Sequence, residues 1–308
     1  MKFQRKIHYA LFVVTLMISF IASACGEVQV EIQTPMPTRV PTELIPPTEL
    51  ASPTVTAEPT GPSFDGTTVS FSGVSFTLPA GMATGTQTEI VPATPPGEPN
   101  QPVFDIWPQH VKITLQGYPL QGTTYQPQIM VFPVDEYLKM GSDPETTLYA
   151  SQVMIDGLNL ILDTGNFPAP DERQGAFPFL PGENARQVFH AQKTILSFQN
   201  GNGIRYLTQF SQAAVPLINN QDLVYTFQGI TLDRKYYVSV IMPINLPYLA
   251  ADYGPNGESA SQTLEAYPLY LVSTIDQLNQ PEGEGTNPFS PSLAALDALV
   301  QSLLISGE

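Results

Sequence analysis

The sequence predicts an α+β fold, an antiparallel sheet covered by helices, and three observations predict it. Residues 186–244 hold four apolar-rich runs divided by turn-forming residues, the economical pattern of a four-strand meander. Within those runs both alternating sets are apolar or amphipathic, as in Tyr225 and Phe227 against Val224 and Thr226, so both faces of the sheet should be covered. Near the end of the chain, residues 291–305 place Leu293, Leu296, Val300, Leu303 and Leu304 on one side of an amphipathic helix, with Ser290 as N-cap and Pro291 at the first helical position. A sheet with helices to cover it is α+β layering.

Taken in order, the chain opens with a pattern of export. Lys2, Arg5 and Lys6 precede an apolar run from Ala10 to Ile21, and the small residues Ala22-Ser23-Ala24 lead into Cys25. A positive start, a short apolar stretch and small residues at a cleavage point make a signal peptide over residues 1–24. The apolar run is too short to span a bilayer comfortably.

Residues 31–62 carry eight prolines and seven threonines. Proline fixes φ and removes a backbone donor, so this linker favours extended polyproline II and builds neither ladder nor helix. At about 3.1 Å per residue it reaches roughly 100 Å when fully drawn out. Residues 25–63 are thus expected to be Cys25 plus a Pro/Thr-rich stalk, and residues 64–308 a single extracytoplasmic domain.

That domain begins with Thr67-Val69-Phe71 and Val74-Phe76-Leu78, two short strands or one bent strand around Ser72-Gly73. Strand signals follow at residues 103–106, 111–115 and 129–132, and a helical pattern covers residues 145–162 with Asp143-Pro144 as its cap and first turn. In the meander the runs are 187–198, 204–210, 223–231 and 236–242. The first turn, residues 199–203, contains Asn-Gly pairs suited to positive φ, and the third, residues 232–235, is charged at its tip. A further helix is expected over residues 268–278, with Leu271, Ile275 and Leu278 in register.

Two resemblances attach to these residues. Ala22-Ser23-Ala24-Cys25 resembles the lipobox of bacterial lipoproteins, with Ala22 where the family usually has Leu. The resemblance implies a diacylglyceryl thioether on Cys25 and an acylated, palmitate-type membrane anchor. Each buried CH₂ adds about 0.8 kcal/mol, so two or three chains hold where one would leak. The alternative is an ordinary secretory signal with an incidental cysteine. The opening Phe71-Ser72-Gly73-Val74-Ser75-Phe76-Thr77-Leu78-Pro79, the strand ending Val240-Ile241-Met242-Pro243 and the closing helix are similar to the layout of the PsbP/Mog1-type α+β domain. The stretch from Asn184 through Arg205-Tyr206-Leu207-Thr208-Gln209-Phe210 to Thr231 also resembles exported bacterial lipoproteins. Neither domain resemblance carries a catalytic residue across.

Charge and residue types exclude several functions. Without Lys2, Arg5 and Lys6, nine cations face 28 carboxylates, a formal charge of −19. Such a surface repels nucleic acid, whose binding depends on Lys and Arg neutralising phosphate. Cys25 is the only cysteine, so no disulfide and no free cysteine nucleophile is expected. No His-Glu-x-x-His run or Gly-x-Ser-x-Gly elbow occurs. His110 and His190 sit among strand-like residues and read as structural. Asp135-Glu136 suits a helix start, Asp171-Glu172 a solvated loop, and the stretch from Asp252 to Glu258 a turn without the alternating ligands of a calcium loop. Gly201-Asn202-Gly203 opens no helix and is not a phosphate loop. No catalytic, cofactor or metal residue is assigned. Tyr206, Tyr225, Tyr236 and Tyr237 make a candidate ligand surface for sugars or peptides, with core packing as the competing reading.

The expectation is a membrane-anchored lipoprotein of the cell envelope, lying on the extracytoplasmic side and serving as a non-catalytic binding or interaction module. Its partners would be the membrane through the Cys25 lipid and an envelope protein, peptide or carbohydrate. A carboxylate-dependent hydrolase of extracytoplasmic polymers is the alternative, since paired carboxylates suffice for glycoside hydrolysis. A transporter's solute-binding receptor is the second alternative. It normally needs two βαβ lobes, against which the antiparallel meander argues.

Overall fold

In the computed structural model, residues 64–95, 103–140, 149–167, 177–253, 263–283 and 288–307 are described. The chain enters through a hairpin of β1 (Thr67–Phe71) and β2 (Val74–Leu78), which turns on Ser72 and Gly73, both at positive φ. Two consecutive positive φ values match the twist of the flanking strands. Next come β3 (Gly85–Val91), a single 3₁₀ turn at Val103–Asp105, β4 (His110–Gln116) and β5 (Gln128–Pro133), then the helices α1 (Val134–Met140) and α2 (Tyr149–Thr164). The second half contributes β6 (Arg186–Gln187), β7 (Ala191–Phe198), β8 (Gly201–Thr208), β9 (Phe210–Ser211), β10 (Val224–Thr231) and β11 (Tyr236–Pro243). It closes with α3 (Tyr267–Leu278), α4 (Leu293–Gln301) and β12 (Leu304–Ile305).

The main sheet has seven strands in the order β3-β4-β5-β11-β10-β8-β7, every neighbouring pair antiparallel. The expected meander is its second half. Its first half comes from the long middle of the chain, and β5 reaches across about a hundred residues to pair Val131 with Val238 of β11. A three-stranded sheet, β1-β2-β12, and the short pair β6-β9 complete the strands among the described residues.

Both faces of the main sheet are buried along its central strands β5, β11, β10 and β8, as the alternation predicts. Tyr225, Phe227, Val238, Val240 and Met242 face α3, α4 and the β1-β2-β12 sheet, packing with Phe76, Leu296, Leu299 and Val300. Val224, Ile230, Tyr237 and Ile241 face the other way, onto Ile155, Leu158 and Ile161 of α2, Val134 and Tyr137 of α1, and Phe177 and Phe179. Burying each such large apolar side chain contributes about 1.5–3 kcal/mol. β10 is buried at all of its positions, the state of a central strand covered on both sides.

Several local expectations are corrected. Residues 103–105 turn rather than extend, and β3 occupies a stretch with no strand assignment from sequence. The run 187–198 is broken at Val188–His190, so β6 and β7 are separate strands. The run 204–210 likewise divides into β8 and β9. Helix α2 is described from Tyr149, and Asp143-Pro144 lies outside the described residues. The N-cap of α4 is Ser292, whose hydroxyl accepts from Ala295 N–H at 3.2 Å, in place of Ser290. Leu303 is buried as expected, but Leu304 has left the helix for β12 and is 42% exposed. Leu299 takes the place in the apolar stripe that sequence assigned to Leu304.

The hairpin between β7 and β8 corrects a physical argument as well. Phe198 pairs directly with Gly201, leaving Gln199 and Asn200 as the turn, so the glycines of the Gly201-Asn202-Gly203 run lie inside β8. Gly203 is there for space. A Cβ on it would come within 2.4 Å of the Phe227 ring and 2.5 Å of the Gln228 carbonyl oxygen.

Candidate functional site

Burial of both faces along the central strands leaves the edges and ends of the sheet for function. At one end converge the β4–β5 loop, residues 117–127, the segment before β6, residues 177–185, the β9–β10 loop, residues 212–223, and the strap after β11, residues 244–253. Asp222, buried, ties three of them. One carboxylate oxygen accepts from the Thr124 hydroxyl, the other from Asn219 Nδ2 at 2.9 Å, and the Tyr253 hydroxyl adjoins it. Asn219 Oδ1 accepts from the backbone of Gln221 and Asp222. Gln209 reaches in from the end of β8, donating to the Leu217 carbonyl at 2.8 Å and the Tyr253 hydroxyl at 2.9 Å.

Beside this knot lies a second carboxylate. The Tyr125 hydroxyl adjoins Glu183, and burial with the nearby charges of Glu183 and Asp222 pushes its pKa far above the usual phenol range. Glu183 is exposed as a residue. Its carboxyl end still loses enough water against the loops to be raised above the ordinary carboxylate range, an effect the neighbouring Tyr125 hydroxyl opposes. Arg186 rims the same end, its guanidinium donating to the Ala213 and Ala214 carbonyls at 3.2 and 2.8 Å. The arrangement offers a hydroxyl and a carboxyl as neighbours, Tyr125 and Glu183, near a buried carboxylate whose two oxygens are already engaged. Asp222 therefore fixes loops, and Glu183 is the acid left accessible to solvent.

The residues singled out from sequence fall elsewhere. Cys25, Asp171-Glu172 and most of the Asp252-to-Glu258 turn lie outside the described residues. Three of the four tyrosines form no surface. Tyr206, Tyr225 and Tyr237 are fully buried, donating to the Pro178 carbonyl at 2.8 Å, Asp297 Oδ1 at 2.8 Å and Gln228 Oε1 at 2.7 Å. Burial raises the pKa of each. Tyr236 is half-buried against Gly307. A strand's alternation places every second residue on a covered face, so tyrosines on central strands turn inward whatever their polar tip would favour.

Both described histidines lie against aromatic rings. His110 Nδ1 donates to the Pro108 carbonyl at 2.9 Å, its ring lies 4.3 Å from that of Phe132, and burial lowers its pKa. His190 stacks on Phe177 at 4.0 Å and 8°. Asp135 and Glu136 occupy the first turn of α1 as expected. Among the described residues no group of His, Cys, Asp and Glu is placed to hold a metal, and no helix is long and apolar enough to cross a membrane.

Sequence reasoning missed Tyr125, Glu183 and Asp222. The one local signal for them was the polar run Asn219-Asn220-Gln221-Asp222 between Ile218 and Leu223. No family model matches the chain, and no curated protein or solved structure matches it.

Proposed function

We propose that this protein is a lipoprotein of the cell envelope, anchored through acyl chains on Cys25 and displaying a non-catalytic binding module on the extracytoplasmic side of the membrane. The lipobox-like Ala22-Ser23-Ala24-Cys25 and the Pro/Thr-rich stalk support the anchor. The observation that carries the binding reading is the loop end of the sheet, where Tyr125 and Glu183 stand at the solvent boundary while Asp222 is committed to holding loops together. Its ligand is a polar segment of peptide or carbohydrate, read by a hydroxyl, a carboxyl and the Arg186 rim. The PsbP/Mog1-type layout belongs to the same reading, as a scaffold that carries no catalytic set.

Cys25→Ser tests the anchor. Lipid label should disappear and the protein should leave the membrane fraction, and a variant that stays labelled and anchored overturns the localisation. A thermal-shift screen of the Cys25→Ser chain against short peptides and oligosaccharides tests the module. A ligand at a hundredfold its Kd adds about 2.7 kcal/mol, a shift that Tyr125→Phe or Glu183→Gln should diminish.

One observation favours the hydrolase as a second reading. A carboxyl raised in pKa by desolvation, with Tyr125 near both it and Asp222, suits a general acid. Turnover of an extracytoplasmic polymer that vanishes in Glu183→Gln would establish it and displace the first.

A further inference from the structure

The two edges of the seven-stranded sheet differ. β7 is guarded: Gln192, at positive φ where the register slips, donates its N–H to Asn279 Oδ1 at 2.7 Å and its side-chain amide to the Leu278 and Gln280 carbonyls at 2.8 Å, so the end of α3 covers that edge. β3 has no such device. Its register with β4 is unbroken from Gly85 to Val91, it holds no lysine and no proline, and among the described residues no strand lies on its outer side. Edges left this way are templates for another strand.

Backbone alternation fixes which residues offer free groups. Leu115 N–H donates to the Pro127 carbonyl at 2.9 Å, so Leu115, Ile113 and Val111 direct their backbone groups toward β5, and Gln116, Thr114, Lys112 and His110 toward β3. Their partners Gly85, Gln87, Glu89 and Val91 point inward, leaving Thr86, Thr88 and Ile90 to present N–H and C=O outward. These three are symmetric about Thr88.

We propose that β3 is a homodimerisation edge, where two copies of this chain join antiparallel about a two-fold axis through Thr88. Thr88 faces the second copy's Thr88, and Thr86 faces its Ile90, forming about six hydrogen bonds from the outward groups alone. The side chains agree with that register. Glu89 falls opposite the second copy's Gln87, so a carboxylate meets an amide, and Lys112 already neutralises Glu89 at 3.2 Å. Ile90, 47% exposed, gains a β-branched neighbour in the second copy's Thr86. For a chain with 28 acids against 12 bases, this edge brings no like charges face to face.

The test uses the full chain with Cys25→Ser, which removes the lipid and the only native thiol. Sedimentation should give twice the monomer mass. Adding Thr88→Cys places two thiols on the axis with Cα atoms about 5.5 Å apart, within disulfide reach, and mild oxidant should convert the chain to a covalent dimer. Thr86→Cys leaves its thiols about 13 Å apart and should stay monomeric on a denaturing gel. Thr88→Pro removes an outward N–H without touching the β4 ladder, and Ile90→Lys puts a cation on the exposed edge. Each should weaken the dimer on the order of tenfold or more, and Ile90→Lys serves where the proline variant fails to fold. A monomer at every concentration overturns the proposal. So does cross-linking of Thr86→Cys as fast as Thr88→Cys, an unchanged dissociation constant in Ile90→Lys, or a dimer that forms only after residues 26–63 are deleted, which would make the stalk the occupant.

Discussion

Gly203 faces Gly229 across β8 and β10, and the Phe227 ring lies over the pair. Gly203→Ala drives a methyl into that ring and the Gln228 carbonyl oxygen, and neither can retreat within a packed sheet. A loss of about 2–3 kcal/mol is expected, read as a lower urea midpoint with unchanged slope. Glu183 makes a pH-dependent contribution. Its folded-state pKa is raised, so the folded state holds the proton more tightly than the unfolded chain does. The contribution is fully present below the unfolded value and is lost as pH rises through the folded one. Relative to Glu183→Gln, the wild-type chain should therefore lose Tm as pH rises above about 4, and parallel Tm profiles would sink the assignment. His110 runs oppositely: its pKa is lowered by burial, so its contribution is present above the ordinary histidine value and lost as pH falls through the lowered one. Glycine was visible in the sequence while its purpose was not, because the ring that needs the space arrives from another strand.

Helix α4 shows how an element is fastened at both levels. At its N-terminus, Ser292 accepts from Ala295 N–H, and Glu282 accepts from Leu293 and Ala294 N–H at 2.8 and 3.3 Å. Three of the first free donors are thus satisfied, with a negative charge at the positive end of the helix. Ser292→Ala should cost about 1 kcal/mol, and Glu282→Gln somewhat less, both by urea denaturation. On the helix face, Asp297 takes a two-point bond from Arg205 at 3.1 and 3.0 Å and a third from the Tyr225 hydroxyl. Arg205 also donates to the Gln192 carbonyl. Both charged side chains are mostly buried, so Asp297→Ala strands a guanidinium against the sheet. About 3 kcal/mol should be lost, and Arg205→Ala combined with it should add little further. The apolar stripe of α4 was legible from spacing. Its cap was misplaced by two residues, and the remote carboxylate could not be read, because eleven residues separate it from the donor.

At the scale of the molecule, the excess of carboxylates sets a repulsive field that few cations offset. Among the described residues the ion pairs outside the Arg205–Asp297 clamp are partly or fully exposed, and such pairs contribute little. Raising salt from about 0.01 to 0.15 M shortens the screening length from about 30 to 8 Å and should raise Tm. A Tm that falls on adding salt would mean that attractive pairs outweigh the repulsion.

The sequence by pattern alone established a sheet covered on both faces, its second-half meander and the presence of α3 and α4. Alternation and helical spacing are local properties, and burial follows from them wherever a layer must be closed. Tertiary structure decided the rest. It inserted β5 beside β11, turned Tyr206, Tyr225 and Tyr237 inward, and brought Tyr125, Glu183 and Asp222 from three separate loops to one end. Those outcomes depend on pairing between segments up to about a hundred residues apart, and no short-range preference encodes which strands will meet.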